Sequence, residues 1–352
     1  MDVIQLLTDA VEQHASDVFI IAGMPVTYKI NEGFTRYDDQ ILKPADTHDL
    51  VSQIYNHAAD RDLQRATSSG DDDFSIAIPG LSRFRVNVYK QRSSLAAVIR
   101  IIRFELPNPS EVGIPQVVMD LAERKKGLVL VTGTAGSGKS TTLACLIDHI
   151  NKTRSEHIVT LEDPLEYLHR HSKSIISQRE VLTDTESYVK ALRASLRQAP
   201  DVVLLGEMRD HETISVAMTA AETGHLVFST LHTVGAANTI DRIVDAFAAN
   251  QQNQIRVQLS MVLQAVVSQQ LVPTVEGRIT PVFEIMVVNN AVRNLIREAK
   301  IHQIDSVIHS SGAEGMVTMD TSLVNLFKKG IISDKSAIAY SSNPELMLKK
   351  LV

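Results

Sequence analysis

The stretch VLVTGTAGSGKSTTLACLI, residues 129–147, constrains the fold more than any other part of the chain. An apolar run, Val129-Leu130-Val131, enters Gly133-Thr134-Ala135-Gly136-Ser137-Gly138 and leaves through Lys139-Ser140-Thr141 into a helical pattern. The glycines let successive backbone N–H groups turn inward on an anion, Lys139 reaches the outer phosphates, and the Ser140 hydroxyl stands where Mg²⁺ would sit. The helix that follows points its positive N-terminus at the same spot. A strand, a phosphate loop and a helix in that order form one step of an alternating α/β fold.

Further steps of the same kind follow. HIVTLED, VVLLGE and LVFSTLH are apolar runs, each succeeded by a helical or looped stretch, so residues 116–352 are expected to hold a parallel sheet with its ligand at the carboxyl ends of the strands. From about 289 onward the pattern is helical. Ahead of the phosphate loop the pattern differs. Val3, Ile4, Leu7 and Val11 fall at helical spacing; Val18–Ile21 and VTYKI read as strands, and a helix is expected near 46–59. DFSIAI, RFRVNVY and LAAVIRII then read as antiparallel strands joined by tight turns such as Pro79-Gly80. Residues 1–103 are therefore expected to form a smaller α+β domain. FELPNPSEVGIP, 104–115, carries three prolines and little apolar pattern, and reads as the linker.

Bulk properties narrow the function. A chain of 352 residues with 44% hydrophobic content suits about two domains. Its 35 basic and 41 acidic residues leave a net charge of −6, without the global basic field of a nucleic-acid binder. No apolar run approaches the ~18 residues of a membrane span, and the N-terminus opens on Asp2 and an amphipathic pattern, so a cytoplasmic protein with no integral membrane span is expected. The lone cysteine, Cys145, excludes an intrachain disulfide and reads as a small buried hydrophobe on the helix after the loop.

Strand ends supply the acids. VTLEDPLEY ends a strand in Glu162 and Asp163, with Glu166 close behind, and DVVLLGEMRD ends another in Glu207. In a parallel sheet these tips lie beside the phosphate loop, where a carboxylate holds metal-bound water or orients the attacking one. The strand-end Asp common in such sites is replaced by Gly206, so Glu207 serves alone or shares its work with Glu162. His232, just after LVFSTL, stands at the carboxyl end as a sensor of the terminal phosphate; His225 stands at the far end of that strand. Arg83 and Arg85 share one strand face, and Arg100 and Arg103 follow on the next strand; they read either as a solvated sheet face or as arginine fingers.

In order, ASDVFIIAGMP, RFRVN, GTAGSGKSTTL, TLEDPLEY, QREV, LRQAPDVVLLGEMRDHETI and TGHLVFSTLHT resemble the secretion-ATPase superfamily, and within it the PilT-like type IV pilus retraction ATPases. AVRNLIREAK, residues 291–300, is close to the AIRNLIRE box of retraction motors, with Val292 as the departure. As a helix it would bury Val292, Leu295, Ile296 and Ala299 and leave Arg293, Arg297 and Glu298 wet.

The resemblance implies a PAS-like N-terminal domain, a RecA-like ATPase domain and a homo-hexameric ring using ATP and Mg²⁺. It implies nucleotide contacts from Gly133 to Thr141, metal contacts from Ser140 and Glu207, and catalytic roles for Glu162, Glu207, His232, Arg85 and Arg100. It also implies an inner-membrane pilus platform protein and other pilus ATPases as partners, at the inner face of the cytoplasmic membrane. Extension motors of this superfamily carry a four-cysteine zinc site and an N-terminal extension, and one cysteine in 352 residues is expected to set the chain apart from them. An accessory PilU-like paralogue, a ring that translocates nucleic acid and a non-hydrolysing nucleotide sensor are the alternatives.

Overall fold

A computed structural model of the protein describes residues 1–30, 33–58, 61–102, 104 and 106–351. The chain divides into two compact units, Met1–Glu105 and Leu106–Val352. Arg103 lies outside the described residues. Among the described residues no helix is long and apolar enough to cross a membrane.

The first unit is an α+β, PAS-like domain. Asp2 accepts from the Gln5 backbone N–H at 2.9 Å and starts α1 (Val3–Glu12), which buries Val3, Leu6, Leu7 and Ala10. β1 (Asp17–Ile20), β2 (Thr27–Ile30) and β3 (Gly33–Arg36) precede α2 (Pro44–Tyr55) and α3 (Gln64–Ser69). β4 (Asp71–Ile78), β5 (Ser82–Gln91) and β6 (Ser94–Ile102) complete an antiparallel sheet of order β3-β2-β1-β6-β5-β4. β5 alternates as a half-buried strand must: Phe84, Val86 and Val88 join Leu6, Leu7, Leu50 and Ile54 in one core, while Arg83 and Arg85 alternate with them. Pairing sets Arg85 directly opposite Arg100, and Arg100 opposite Asp17. β3, exposed along its length, carries no apolar alternation that the sequence could reveal.

The second unit is RecA-like. α4 (Gln116–Met119) leads to β7 (Gly127–Thr132), α5 (Lys139–Thr153), β8 (His157–Glu162), β9 (Ile175–Glu180), α6 (Tyr188–Ser195), β10 (Val202–Leu205), α7 (His211–Glu222) and β11 (Leu226–Leu231). After α8 (Ala236–Asp245) and α9 (Gln252–Val262), a hairpin forms from β12 (Leu263–Pro273) and β13 (Ile279–Val287). α10 (Asn290–Arg297), α11 (Ile304–Ser310), α12 (Met319–Lys328), α13 (Asp334–Ala339) and α14 (Pro344–Leu351) close the chain. The sheet order is β13-β12-β7-β11-β10-β8-β9, parallel except for the hairpin. β7, β10 and β11 are buried at every position, the signature of parallel strands covered on both faces.

Three features depart from the sequence reading. From Leu106 the proline-rich stretch counts with the second unit, where Ile114 is buried in the core beside Val118 and Leu146. β9 and the β12–β13 hairpin have no counterpart in that reading. α10 buries Val292 and Ile296 and half-buries Leu295, but it stops at Arg297, so Ala299 is exposed in a left-handed turn at φ 59°. Arg293 is not wet either: its guanidinium donates to the Ser260 and Met261 carbonyls at 2.8 and 3.1 Å, capping the C-terminal end of α9.

Candidate active site

The phosphate loop leaves β7 and lies directly on β12. A Cβ on Gly133 would come within 2.2 Å of the Gln269 carbonyl oxygen, and one on Gly138 within 2.7 Å of the Gln269 side-chain nitrogen, so both positions require glycine. Both also hold positive φ, which L side chains rarely adopt. The buried Gln269 amide oxygen accepts from Thr142 Oγ1 at 2.8 Å and ties the first turn of α5 to the same strand. Gln269 has no motif around it, and the sequence reading misses it.

Lys139 is buried, and its ammonium donates to the Gly133 and Thr134 carbonyls at 2.9 and 2.8 Å. Burial lowers its pKa, and the charge of Glu207 acts in the opposite direction. Ser137 Oγ is buried and, among the described residues, has no hydrogen-bond partner. It lies 2.6 Å from where a Cβ on Gly133 would stand, a further reason for glycine there. The Thr141 hydroxyl is engaged otherwise, at 2.9 Å from Tyr167 Oη.

A cavity of about 250 Å³ opens at the carboxyl ends of the strands and is lined by Ala135, Gly136, Lys139, Ser140, Glu162, Glu207 and His232, among others. Strand order explains the convergence. β7 delivers the loop, its neighbour β11 delivers His232, β10 delivers Glu207 and β8 delivers Glu162. Asp163 and Glu166 also line this cavity, together with Tyr167, His169, Tyr188 and Thr230, which the sequence reading does not single out. Gly138 and Thr141 instead face a second cavity on the Gln269 side of the loop.

The two glutamates differ. Burial pushes the Glu162 carboxyl up to about 7. Glu207 is held below the ordinary carboxylate range, chiefly by the Arg209 guanidinium bonded to it, with His232 adding to the effect. His232 Nε2 lies 3.4 Å from Glu207 Oε2. Asp210, which closes the GEMRD segment, caps α7 by accepting from the Thr213 N–H at 2.8 Å, so that segment ends in a structural acid. The turn after His232 is pinned to the hairpin: Gly235 N donates to Ser268 Oγ at 2.9 Å, and Ala236 N to the buried Glu284 at 2.8 Å.

Among the described residues no group of three or more His, Cys, Asp or Glu is arranged to hold a metal. The oxygen donors at the cavity, the Ser140 hydroxyl and the Glu207 carboxylate, suit Mg²⁺, which binds through one or two protein oxygens together with substrate phosphates.

His225 sits at the other end of β11, where its ring contacts the Ala220 carbonyl at 2.9 Å and Thr223 Oγ1 at 3.2 Å, closing the end of α7. Arg85 and Arg100 belong to the first unit. Arg85 pairs with Asp73 at 2.7 Å and Arg100 with Asp17 at 2.9 Å. Cys145 is buried in the core, and burial pushes its thiol up to about 11, away from any reactive thiolate.

A model of the family described as type II/IV secretion system protein matches residues 2–327. The chain belongs to that family. It is 43% identical to the type IV pilus retraction ATPase PilT of Pseudomonas aeruginosa over 345 residues, covering 98% of this chain and 99% of that protein. It is 37% identical to the type IV pilus ATPase PilU of the same bacterium, covering 99% and 92%. A crystal structure of the pilus retraction motor PilT with bound ADP matches with a TM-score of 0.90 at 44% identity, over 99% of both chains.

Proposed function

We propose that this chain is an ATP-hydrolysing motor of type IV pilus retraction. The observation that carries the proposal is the meeting, in one cavity, of a phosphate loop with two carboxylates whose acidities are pushed apart. The similarity to PilT, higher than that to PilU, supports retraction as its role.

In this reading the loop amides and Lys139 hold the phosphates, with Lys139 exchanging the Gly133 and Thr134 carbonyls for phosphate oxygens. Ser140 and Glu207 would hold Mg²⁺, which when bound neutralises charge on the transferred phosphoryl group. Glu162 titrates near neutral pH and takes the proton of the attacking water. Glu207 stays ionised, and His232 beside it reports the terminal phosphate. Arg85 and Arg100, neighbours across two strands and paired with Asp73 and Asp17, are the arginines this reading assigns to nucleotide phosphate.

The motor works as a homo-hexamer at the cytoplasmic face of the inner membrane, where hydrolysis turns a pilus platform protein. Deletion of the gene tests this role, with retraction expected to stop while surface pili remain. Persisting retraction would assign the chain an accessory role. ATPase activity strongly stimulated by single-stranded DNA, with the stimulation fading as salt rises, would instead favour a translocase.

A further inference from the structure

Among the polar groups of the cavity that have no part in the scheme above is the hydroxyl of Tyr188. Tyr188 is the first residue of α6, whose N-cap Ser187 accepts from the Lys190 N–H at 3.3 Å. Its ring packs, partly buried, against the core that holds Leu161 and Leu205, so the body of the side chain is fixed by packing. The hydroxyl reaches over Gly206. A Cβ on Gly206 would lie 2.8 Å from Tyr188 Oη, 3.1 Å from the Leu161 carbonyl oxygen and 3.4 Å from Glu162 Cα.

Gly206 has no left-handed backbone to explain its glycine, so the reason is space. Its peptide cannot move aside easily, because Gly206 N donates to Leu161 O at 2.7 Å and its carbonyl accepts from Thr230 Oγ1 at 2.6 Å. The position where many phosphate-loop enzymes begin an acidic side chain is thus filled by a phenol from a different element. That phenol opens onto the cavity shared with Glu162 and Glu207.

We propose that Tyr188 is a further catalytic residue of the hydrolysis, a neutral hydroxyl that holds the attacking water for Glu162. The inference rests on the ATPase reading. One O–H of the water is donated to the Glu162 carboxylate, which takes that proton. The other is donated to Tyr188 Oη, leaving an oxygen lone pair free for the terminal phosphorus. The new P–O bond forms as the bridging P–O bond of ATP breaks, and ADP departs with the bonding electrons. Tyr188 ends the step as it began, protonated. Burial, reinforced by the charges of Asp163 and Glu207, raises its ionisation well above the ordinary phenol range, so it remains a hydroxyl throughout.

Two variants of the full-length protein test this. Tyr188→Phe keeps the ring and removes only the oxygen. Its kcat is expected to fall by about tenfold to a hundredfold, while KM and the affinity for ADP stay within about twofold, because the lost contact is made to water and not to nucleotide. Gly206→Ala keeps the hydroxyl but pushes it off its position, and is expected to lower kcat similarly. In Tyr188→Phe the same methyl should cost less than it does in the parent, since the phenol oxygen it displaces is gone and only its contact with the Leu161 carbonyl and Glu162 Cα remains.

A Tyr188→Phe protein with parental kcat, or one in which KM and ADP affinity worsen as much as kcat, would overturn the inference. Fully multiplicative losses in the double variant would do the same. A parent without turnover would sink the ATPase reading itself, whereas an active parent with an equally active Tyr188→Phe sinks this inference alone.

Discussion

Glu162 at the tip of β8 and Glu207 just beyond β10 stand on adjacent strands, with Leu161 paired to Leu205, and carry the same carboxyl group. Burial without a cationic partner raises the first to about 7, while Arg209 and His232 hold the second down. One residue type thus holds an acidity near neutral pH in one place and below the ordinary carboxylate range in the other. Environment sets the two acidities apart, the pattern by which a pair of carboxylates can divide acid–base work.

The largest effect should follow from Glu207→Ala, which removes the more acidic carboxylate; steady-state phosphate release is expected to drop about a thousandfold. Release at the parental rate would break the contrast between the tips. Next, Glu162→Gln should lower kcat about a hundredfold. In the parent, kcat should rise with pH through about 7 as Glu162 ionises, and the variant's pH profile should lose that limb.

Arg209→Ala sharpens the comparison from the other side. Without its cation, Glu207 should titrate closer to the ordinary carboxylate value, moving the acidic limb of the profile upward while leaving the limb near 7 in place. Gln269→Ala, beneath the loop and away from both tips, should weaken nucleotide binding several-fold and cost about 1–3 kcal/mol of stability, since it strands the Thr142 hydroxyl. Neither limb should move.

The smallest effect is in thermal stability, and its sign differs between the tips. Glu162 has a raised folded-state pKa, so its favourable contribution is complete below the unfolded value of about 4.3 and is lost as pH rises through about 7. Glu207 has a depressed one, so its contribution is present above that unfolded value and is lost as pH falls. Melting curves should therefore show Glu162→Gln gaining on the parent from pH 5 to about 8, and Glu207→Gln gaining on it as pH falls toward about 3.

Much of the site could be read without coordinates. A strand, glycines, Lys139-Ser140 and a helix are contiguous, so the loop is written in one short segment, and Glu162, Glu207 and His232 each follow an apolar run that announces a strand end. Residues that act through distant contact leave no such trace. Gln269 lies in VSQQL, a polar pair inside an apolar run, and only the parallel pairing of β12 with β7 puts it under the loop. Tyr188 looks like an ordinary aromatic at a helix start until Gly206 is found beneath its hydroxyl. Ala299 is misjudged because helical spacing does not show where α10 ends.

The sequence by itself determined the class of fold, the phosphate loop and the acids at the strand ends, because local periodicity and contiguous motifs specify local conformation and the faces of elements. Only the tertiary structure decided how acidic each glutamate is, which strand supports the loop, and which hydroxyl fills the place above Gly206. Those properties depend on desolvation and on neighbours contributed by other elements. In this chain those neighbours lie as far away as the 127 positions between Thr142 and Gln269.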